Sequence, residues 1–300
     1  LRAGLLSSDQ LEVLQLGLSH EQQHQELLLM DVKHLFSCNP LNTEYLSESI
    51  PATKETPRAW RAFEGGVHEI GVDEGCGAGT FDNECPTHRV FLEAYELSDR
   101  VVTNREYLEF VRDGAYACPA HWLDLGWAFV SEHNLQSPLY WRENDGRWEE
   151  FTLYGWVPLD PNAPVVHVSF FEADAFARWS KARLPTEFEL EAVCDEAIPT
   201  GSVLEDRLFH PRHADVEQNG VRQLLGDVWE WTTSSYGPYP GYAPPEGAIG
   251  EYNGKFMCNQ YVLRGGSCVT PRAQIRKSYR NFFHPEARWA FSGIRLARTP

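Results

Sequence analysis

The 300-residue sequence contains no apolar run of the ~18 residues that a membrane-spanning helix needs. It is also poor in positive charge, because 26 Lys and Arg residues stand against 43 Asp and Glu residues and give a net charge of −17. A surface of that sign repels the phosphates of nucleic acids and of anionic membranes. Both features argue against a transmembrane protein, and against nucleic acid or a membrane as the main partner.

Disulfide and zinc-ribbon patterns are missing as well. The seven cysteines form no Cys-x-x-Cys pair; they are Cys38, Cys76, Cys85, Cys118, Cys194, Cys258 and Cys268. A disulfide framework or a zinc ribbon would show an even count or short spacings, so we expect reduced thiols in a cytoplasmic protein. No signal peptide is visible, but the chain starts with Leu1 rather than Met, and we expect an N-terminal part to be missing.

Aromatic and turn-forming residues, in contrast, are abundant. The sequence has 10 Trp, 12 Tyr and 16 Phe residues together with 23 Gly and 19 Pro. This composition is typical of a loop-rich fold that is held by large flat side chains rather than by long helices. At roughly 100–200 residues per domain, the length leaves room for one large domain and a piece of another.

One long helical pattern stands near the start of the chain. From Asp9 to about Phe36, leucines recur at three- and four-residue steps, and Asp9 with Glu12 can form a capping box. The segment Cys38-Asn39-Pro40 is a stop signal. A lone helix of this length cannot bury its apolar face, so we expect it to dock on other helices that this chain does not contain.

The rest of the chain has a different character. Residues 41–61 are polar and contain two prolines, which indicates a linker. From residue 63 onward, short apolar runs are broken by Gly, Pro, Asn and Asp. Helical patterns occur only over residues 103–113 and 171–180, and a further short helix opens after Pro185. We therefore expect an irregular, turn-rich α+β domain.

The sharpest chemical feature lies on the predicted N-terminal helix. His20 and His24 are four residues apart, so both imidazoles can reach one ion, and Gln23 lies near the same face. Three neutral histidines with open positions would suit a redox-active iron that takes both a substrate and oxygen. His20-Glu21 also fits the first half of the zincin pattern, and two solvent-facing histidines remain an alternative.

Five short sequence motifs occur in the C-terminal region, and each of them by itself could have a purely structural role. They are Val165–Ala175, Arg183–Glu191, Leu225–Trp231, Leu263–Ser267 and Ser292–Ala297. In this order they resemble the formylglycine-generating-enzyme/sulfatase-modifying domain, a variant of the C-type lectin fold. The resemblance covers nearly all of residues 60–298, and it implies a fold rather than a function.

Formylglycine generation itself is not expected. The enzymes that perform it carry two copper-binding cysteines, three and eight residues past the Gly-Gly-Ser phrase. Here Thr270 and Ile275 stand at those positions. Cys268 is out of place and is expected to be a small buried residue.

The His-x-x-Gln-His helix ahead of such a domain resembles the ergothioneine-pathway sulfoxide synthases, the EgtB-like hercynine oxygenases. The resemblance implies an α+β fold in which a C-type-lectin-like formylglycine-generating-enzyme domain occupies residues 62–300. Residues 1–40 would be the last part of a DinB-like helical bundle, and residues 41–61 would link the two.

The same resemblance implies roles for single residues of the helix. His20 and His24 would be two of three iron ligands, and Gln23 would contact the substrate imidazole. The third histidine and the catalytic tyrosine are expected before Leu1, so we assign no tyrosine in this chain.

A C-terminal loop is implied as the other side of the substrate site. Asn281 would hold the substrate, and Phe282 would offer its ring to a quaternary ammonium, a contact worth roughly 0.5–2 kcal/mol. Phe283 stands where relatives that use γ-glutamylcysteine carry an acidic residue, which favours free cysteine, although core packing is an alternative for this ring. Arg288 is the candidate partner for the carboxylate of cysteine.

The function implied is that of a non-haem iron(II), O2-dependent sulfoxide synthase. It would join cysteine sulfur to the imidazole C2 of hercynine in ergothioneine biosynthesis, with Fe(2+) as cofactor and hercynine, cysteine or a related thiol, and O2 as small-molecule partners. One alternative is a selenoneine-type synthase with a selenium donor. Another is a non-catalytic lectin-like binding module, and zinc-type hydrolysis or thiol transfer is a third that leaves the C-terminal aromatic loop unexplained.

Overall fold

The computed structural model describes residues 7–73, 79–194, 201–214, 220–247, 250 and 252–300. Within these ranges the helices are α1 (Ser8–Ser37), α2 (Asn104–Arg112), α3 (Asp124–Glu132), α4 (Phe170–Trp179) and α5 (Glu187–Val193). Only α1 is long. The other helices are embedded among short strands, which confirms the α+β class.

The strands form four small sheets in the described part of the chain. They are β1 (Trp60–Phe63), β2 (Gly66–Ile70), β3 (His88–Leu92), β4 (Tyr95–Ser98), β5 (Trp141–Asn144), β6 (Arg147–Thr152), β7 (Gly155–Pro158), β8 (Trp229–Ser235), β9 (Tyr261–Arg264), β10 (Asn281–Phe283), β11 (Ser292–Gly293) and β12 (Ala297–Arg298). The sheet orders are β1-β4-β12, β10-β9-β8-β11, β2-β3 and β5-β6-β7. Strands β8 and β11 pair in parallel, and the other named pairs are antiparallel.

Three of the short helices begin with reciprocal side-chain caps. The capping boxes are Thr103 with Glu106 in α2, Ser169 with Glu172 in α4, and Thr186 with Glu189 in α5. Each box satisfies backbone N–H groups of a first turn that have no partner inside the helix. These helices lie where the sequence predicts them. Helix α3 was not predicted, and it starts after Leu123 without a side-chain cap.

Helix α1 starts two residues earlier than its sequence pattern predicts. Ser7 has an extended backbone conformation and its side chain accepts a hydrogen bond from the backbone N–H of Gln10. The side chain of Gln10 in turn accepts from the N–H of Ser7. The predicted capping box of Asp9 and Glu12 is therefore wrong, because the chain enters the helix at Ser7.

The leucine face of α1 is not the face that meets the rest of the protein. Leu18, Leu28 and Leu35 are 56%, 64% and 66% exposed. The buried stripe lies on the other side and contains Ser19, Glu26, Met30 and Lys33. Helix α1 thus docks on the lectin-like domain through a stripe that is mostly polar, and hydrogen bonding as well as apolar contact holds it there.

Aromatic side chains fill the core of the lectin-like domain, as the composition predicts. Tyr107 of α2 stacks on Phe176 of α4 with ring centroids 5.3 Å apart. Trp229 and Trp231 of β8 are fully buried in the same cluster. Packing of this kind joins two helices and the central sheet into one core.

Buried arginines are paired with glutamates, also as the sequence phrases suggest. Arg295 donates to both carboxylate oxygens of Glu230, at 2.8 and 2.7 Å. Arg280 makes the same two-point contact with Glu187, at 2.8 and 3.0 Å. An unpaired buried charge is costly, so neither partner of a pair can move away alone. Each pair therefore holds together two segments that are distant in sequence.

The Gly265-Gly266 turn follows β9 and needs glycine for its backbone. Both residues have positive φ, 100° and 82°, and a Cβ on Gly265 would lie 2.6 Å from the carbonyl oxygen of Leu224. The turn brings Ser267 and Thr270 against α1.

The described residues include no helix with the length and apolar character of a membrane span.

Candidate functional site

His20 and His24 lie on adjacent turns of α1, with exposed side chains. Their Nε2 atoms are 3.1 Å apart, and their ring centroids are 4.6 Å apart. Two nitrogen ligands that are each about 2.1 Å from one ion at a right angle would be separated by about 3 Å. The separation is that of a hydrogen bond between the two rings, and it also equals the spacing of two nitrogens that share one metal ion.

No larger donor cluster is formed within the described ranges. No group of three or more His, Cys, Asp or Glu side chains there is arranged to hold a metal ion. The described part of the site thus offers two imidazoles, of which that of His20 lines the cavity described below.

Gln23 lies between the two histidines in sequence and is held by two phenols. Its Nε2 donates to the hydroxyl of Tyr279 at 2.8 Å, and the hydroxyl of Tyr252 donates to its Oε1. A glutamine amide can make four hydrogen bonds. With one donor and one acceptor position used, Gln23 keeps a fixed orientation and can still bind a ligand.

Tyr252 is a site residue that the sequence analysis did not assign. Its ring meets that of His20 edge to face, at 5.3 Å, and stacks on Phe81 at 5.7 Å. Burial raises the pKa of Tyr252 to about 12 and also raises the pKa of Tyr279. Both phenols therefore keep their protons at neutral pH and can act as donors.

A cavity of about 450 Å³ opens beside these residues. Its walls come from α1, β10, the segment that precedes β10 and two loops; the lining residues are His20, Gln23, Phe81, Asn83, Tyr252, Asn253, Lys255, Phe256, Tyr279, Arg280, Asn281 and Phe282. Four of the predicted site residues thus line the cavity, namely His20, Gln23, Asn281 and Phe282. A cavity that combines aromatic walls with a few polar groups is typical of a small-molecule site.

Asn281 and Phe282 enter the cavity wall from β10. Phe282 pairs with Val262 of β9, and its backbone N–H donates to Oδ1 of Asn281 at 2.9 Å. The Phe282 ring stacks on Tyr236 with centroids 4.0 Å apart and an angle of 10°. The ring centroid of Phe256, which also lines the cavity, is 5.9 Å from that of Phe282.

Asn83 is a second residue that the sequence did not reveal. It is almost fully buried, and its Nδ2 donates to the Tyr236 hydroxyl at 2.9 Å. Its Oδ1 has no hydrogen-bond partner. A buried carbonyl oxygen without a partner is unfavourable, so Asn83 is a lining residue whose hydrogen bonding is incomplete.

Besides His24, two predicted residues lie outside the cavity lining. Phe283 packs against Trp289, with ring centroids 5.3 Å apart, and joins the core. Arg288 donates to a carboxylate oxygen of Glu172 at 2.9 Å and is largely buried. The structure therefore places Phe283 and Arg288 in packing and in an ion pair, rather than in the cavity with Asn281 and Phe282.

Comparison with known proteins adds family information to this geometry. The model of the sulfatase-modifying factor enzyme 1-like domain matches residues 47–207 and 199–300. The chain is 34% identical to hercynine oxygenase of Mycolicibacterium smegmatis, over 94% of this chain and 70% of that protein. The corresponding values for hercynine oxygenase of Mycobacterium tuberculosis are 34%, 93% and 70%.

Among solved structures, PvdO from Pseudomonas aeruginosa is similar in fold. It has a TM-score of 0.52 and 17% sequence identity, and the match covers 80% of this chain and 94% of PvdO. Such a likeness supports the fold alone. The expected formylglycine-generating-enzyme type of fold is confirmed by this match and by the family model.

Proposed function

Because this chain belongs to the hercynine oxygenase family and carries the sulfatase-modifying factor enzyme 1-like domain, we propose that the cavity beside His20 and His24 is its active site. The chain is an oxygen-dependent enzyme that forms the carbon–sulfur sulfoxide bond of ergothioneine biosynthesis. We further propose which metal and which thiol this enzyme uses, and what the residues at the cavity do.

The overall reaction consumes one hercynine, one cysteine and one O2. The imidazole C2–H bond and the thiol S–H bond break, and a C–S bond forms. One oxygen atom remains on sulfur as the sulfoxide, and the other leaves as water. When bound, Fe(II) supplies the O2 chemistry that protein side chains cannot perform.

The two imidazoles are the residues that would hold the iron. Neutral imidazole nitrogens are common ligands of non-haem iron, and the 3.1 Å between the Nε2 atoms of His20 and His24 suits a shared ion. Both rings are anchored on one rigid helix. Their relative position therefore depends on α1 and not on loop motion.

Gln23 would orient the substrate imidazole beside this position. Its amide is held from both sides by Tyr252 and Tyr279, so its remaining N–H and its remaining lone pair have defined directions. One of them would bind the imidazole nitrogen that faces α1. Preorganised polar groups of this kind reduce the entropy lost on productive binding.

The aromatic wall would receive the trimethylammonium group. This group cannot donate a hydrogen bond, so the face of an aromatic ring is its natural partner. Phe282 is fixed by stacking on Tyr236, and Phe256 extends the same wall. Asn281 and the unpartnered Oδ1 of Asn83 supply the polar contacts of the wall.

Tyr252 would hold a proton at the reacting end of the cavity. Its hydroxyl lies beside Gln23 and its ring beside His20, and its raised pKa keeps the phenol protonated at neutral pH. The hydroxyl would donate to an oxygen or sulfur atom next to His20 by exchanging its bond to Gln23 for that acceptor.

Free cysteine is the proposed sulfur donor. The family resemblance supports this choice, because Phe283 stands where relatives that use γ-glutamylcysteine carry an acidic residue, although its ring packs on Trp289 outside the cavity lining. The carboxylate of cysteine needs a cation, and Arg288 could serve only if it leaves Glu172. Lys255, which lines the cavity, is a further cation at this site.

The observation that carries the proposal is the position of His20 in the wall of an aromatic cavity, with Nε2 of His24 3.1 Å from its own Nε2. The test uses the natural-length protein loaded anaerobically with Fe(II), to which hercynine, cysteine and O2 are then added. We expect consumption of hercynine and formation of the sulfoxide adduct. His24→Ala should abolish both, whereas His133→Ala, at an exposed histidine that contacts its own helix, should leave both unchanged.

The donor and the class of function are separated by parallel assays. Turnover with γ-glutamylcysteine but not with cysteine would contradict the proposed donor. Turnover only with a selenium donor such as selenocysteine would favour the selenoneine-type alternative. Hercynine binding that is equally tight in His24→Ala, without turnover in the wild type, would indicate a binding module.

A further inference from the structure

Glu26 follows His24 by two residues on α1, yet it is buried in the lectin-like domain. Its Oε1 accepts hydrogen bonds from the indole N–H of Trp229 at 2.7 Å and from the Ser267 hydroxyl at 3.0 Å. Its Oε2 accepts from the Thr270 hydroxyl at 2.8 Å. A single side chain of α1 therefore meets a donor from β8 and two donors from the Gly265-Gly266 turn.

The orientation of Glu26 excludes a direct role as a ligand of the same ion. At about 100° per residue, Glu26 lies about 160° around the helix from His24 and about 120° from His20. Its carboxyl group faces the domain, whereas His20 lines the cavity and His24 is exposed beside it. Any effect of Glu26 on the imidazoles must pass through the helix.

Other members of the buried stripe also help to place α1, since Lys33 lies 2.7 Å from Nε2 of His167 and the Ser19 hydroxyl donates to the backbone carbonyl of Gly79 at 3.3 Å. Met30 is the stripe's fully buried apolar residue, and apolar contact changes little when a helix slides or rotates slightly. Hydrogen bonds, in contrast, weaken steeply with distance and angle. The three bonds to Glu26 join α1 to two separate segments and therefore help to define its axial position and rotation, two residues from His24 and six from His20.

We propose that Glu26 is a positioning residue, which holds α1 in the one register that presents His20 to the cavity with His24 beside it. This rests on the proposed function of the two histidines as metal ligands. This role depends on the length of the side chain. The carboxyl group must lie a full glutamate side chain away from the helix backbone to bond Trp229, Ser267 and Thr270 at once.

Two substitutions separate the effect of the length of the Glu26 side chain from the effect of its charge. Glu26→Gln keeps the length of the side chain and an acceptor for the Trp229 indole, and its NH2 group can donate to the hydroxyls of Ser267 or Thr270. Glu26→Asp keeps the carboxylate but is one methylene shorter, so α1 must shift to keep the bonds. A positioning role predicts that Gln is tolerated better than Asp. A ligand or charge role predicts the reverse.

The experiment measures Co(II) binding to the natural-length protein by visible absorption and calorimetry, together with the melting temperature. We expect Glu26→Gln to stay within about threefold of the wild-type Kd and Glu26→Asp to raise it about tenfold or more. The Co(II) absorption bands should also shift in Glu26→Asp, because the two imidazoles meet the ion at a changed angle.

Met30→Ala is the matched control, because it weakens the same interface and leaves the three hydrogen bonds of Glu26 to Trp229, Ser267 and Thr270 in place. We expect it to lower the melting temperature and to leave the Kd for Co(II) unchanged. If the Kd values of all variants follow their melting temperatures, Glu26 is merely structural and the proposal is wrong. If Asp is tolerated better than Gln, the proposal is also wrong. If the wild-type protein and all variants bind no Co(II), the proposed metal site fails, and this assignment fails with it.

Discussion

The ammonium nitrogen of Lys33 lies 2.7 Å from Nε2 of His167, and both side chains are buried. The same ammonium lies 5.0 Å from the ring centroid of Tyr140. Glu150 and His210 complete the cluster, with 3.7 Å between a Glu150 carboxyl oxygen and Nε2 of His210. Helix α1 thus places a lysine inside the lectin-like domain, seven residues after Glu26.

This cluster predicts a dependence of stability on pH. Burial lowers the pKa of Lys33 to about 8, although the nearby Glu150 opposes the shift. In the unfolded chain the pKa is about 10.4. Between pH 8 and about 9.5 the unfolded chain therefore binds more protons at this position, so Lys33 makes the free energy of unfolding rise with pH, by roughly 1 kcal/mol per pH unit.

Lys33→Met should remove this rise, and urea unfolding at several pH values measures it. The quantity to compare is the slope of wild type against that of the variant, in which loss of Lys33 also raises the pKa of Glu150 and so adds a fall of stability with pH. Burial raises the pKa of Glu150 to about 7 and lowers that of His210 to about 3, and it also lowers the pKa of His167, so all three titrate below this window in the wild type. The exposed Lys54 provides the control: Lys54→Met should keep the wild-type slope.

Tyr252→Phe tests the proposed proton donor. The substitution keeps the ring beside His20 and removes the hydroxyl that donates to Gln23. We expect kcat for sulfoxide formation to fall by about 100-fold or more, since general acid groups typically contribute that much, while the Kd for Fe(II) changes by less than about twofold. Tyr154→Phe, which removes a hydroxyl bonded to the backbone of Leu208, is the control. An unchanged kcat in Tyr252→Phe would show that the hydroxyl has no part in turnover.

Phe282→Leu tests the aromatic wall. A cation–π contact of roughly 0.5–2 kcal/mol corresponds to an increase in the Kd for hercynine of about 2- to 30-fold. Binding of histidine should weaken less, because its ammonium group can keep hydrogen bonds to water. Phe283→Leu changes the same strand, but its ring packs on Trp289. It should lower stability and leave hercynine binding nearly unchanged; equal losses of binding in both variants would argue against a specific role of Phe282.

Arg295→Met tests the buried ion pair of the domain core. The substitution leaves the carboxylate of Glu230 buried without its partner, and it also removes donors to the backbone carbonyls of Ser98 and Arg222. We expect the free energy of unfolding to fall by about 3–5 kcal/mol in urea titrations. Arg178→Ala breaks the half-exposed pair with Asp174 and should cost less than about 1 kcal/mol. Similar losses in both variants would contradict the assigned difference in burial.

The sequence predicts most of the local structure correctly, and the exceptions have physical reasons. Helices α2, α4 and α5 are visible because a capping residue and its glutamate are three positions apart. Helix α3 has no such cap and was missed. The sequence predicts the start of α1 at Asp9 because Ser7-Gln10 and Asp9-Glu12 both have the spacing of a capping box, and the structure places the cap at Ser7.

The candidate site was predicted where its residues share one element. His20, Gln23 and His24 follow from helical spacing, and the β10 residues follow from the family resemblance. Tyr252 and Asn83 lie 229 and 153 residues from the side chains they bind, Gln23 and Tyr236, and no local pattern connects them. Arg288 was a reasonable partner for a carboxylate by charge alone, but the fold places Glu172 beside it.

What the sequence by itself determined is therefore the helix with its two histidines, the lectin-like architecture and the family. These properties are encoded in short-range spacing and in ordered phrases. The tertiary structure decided which face of α1 is buried, and that face carries Glu26 and Lys33 rather than the leucines. The physical reason is that a buried polar side chain is stable only where its partners already stand, and the Glu26 socket is built from residues more than 200 positions away.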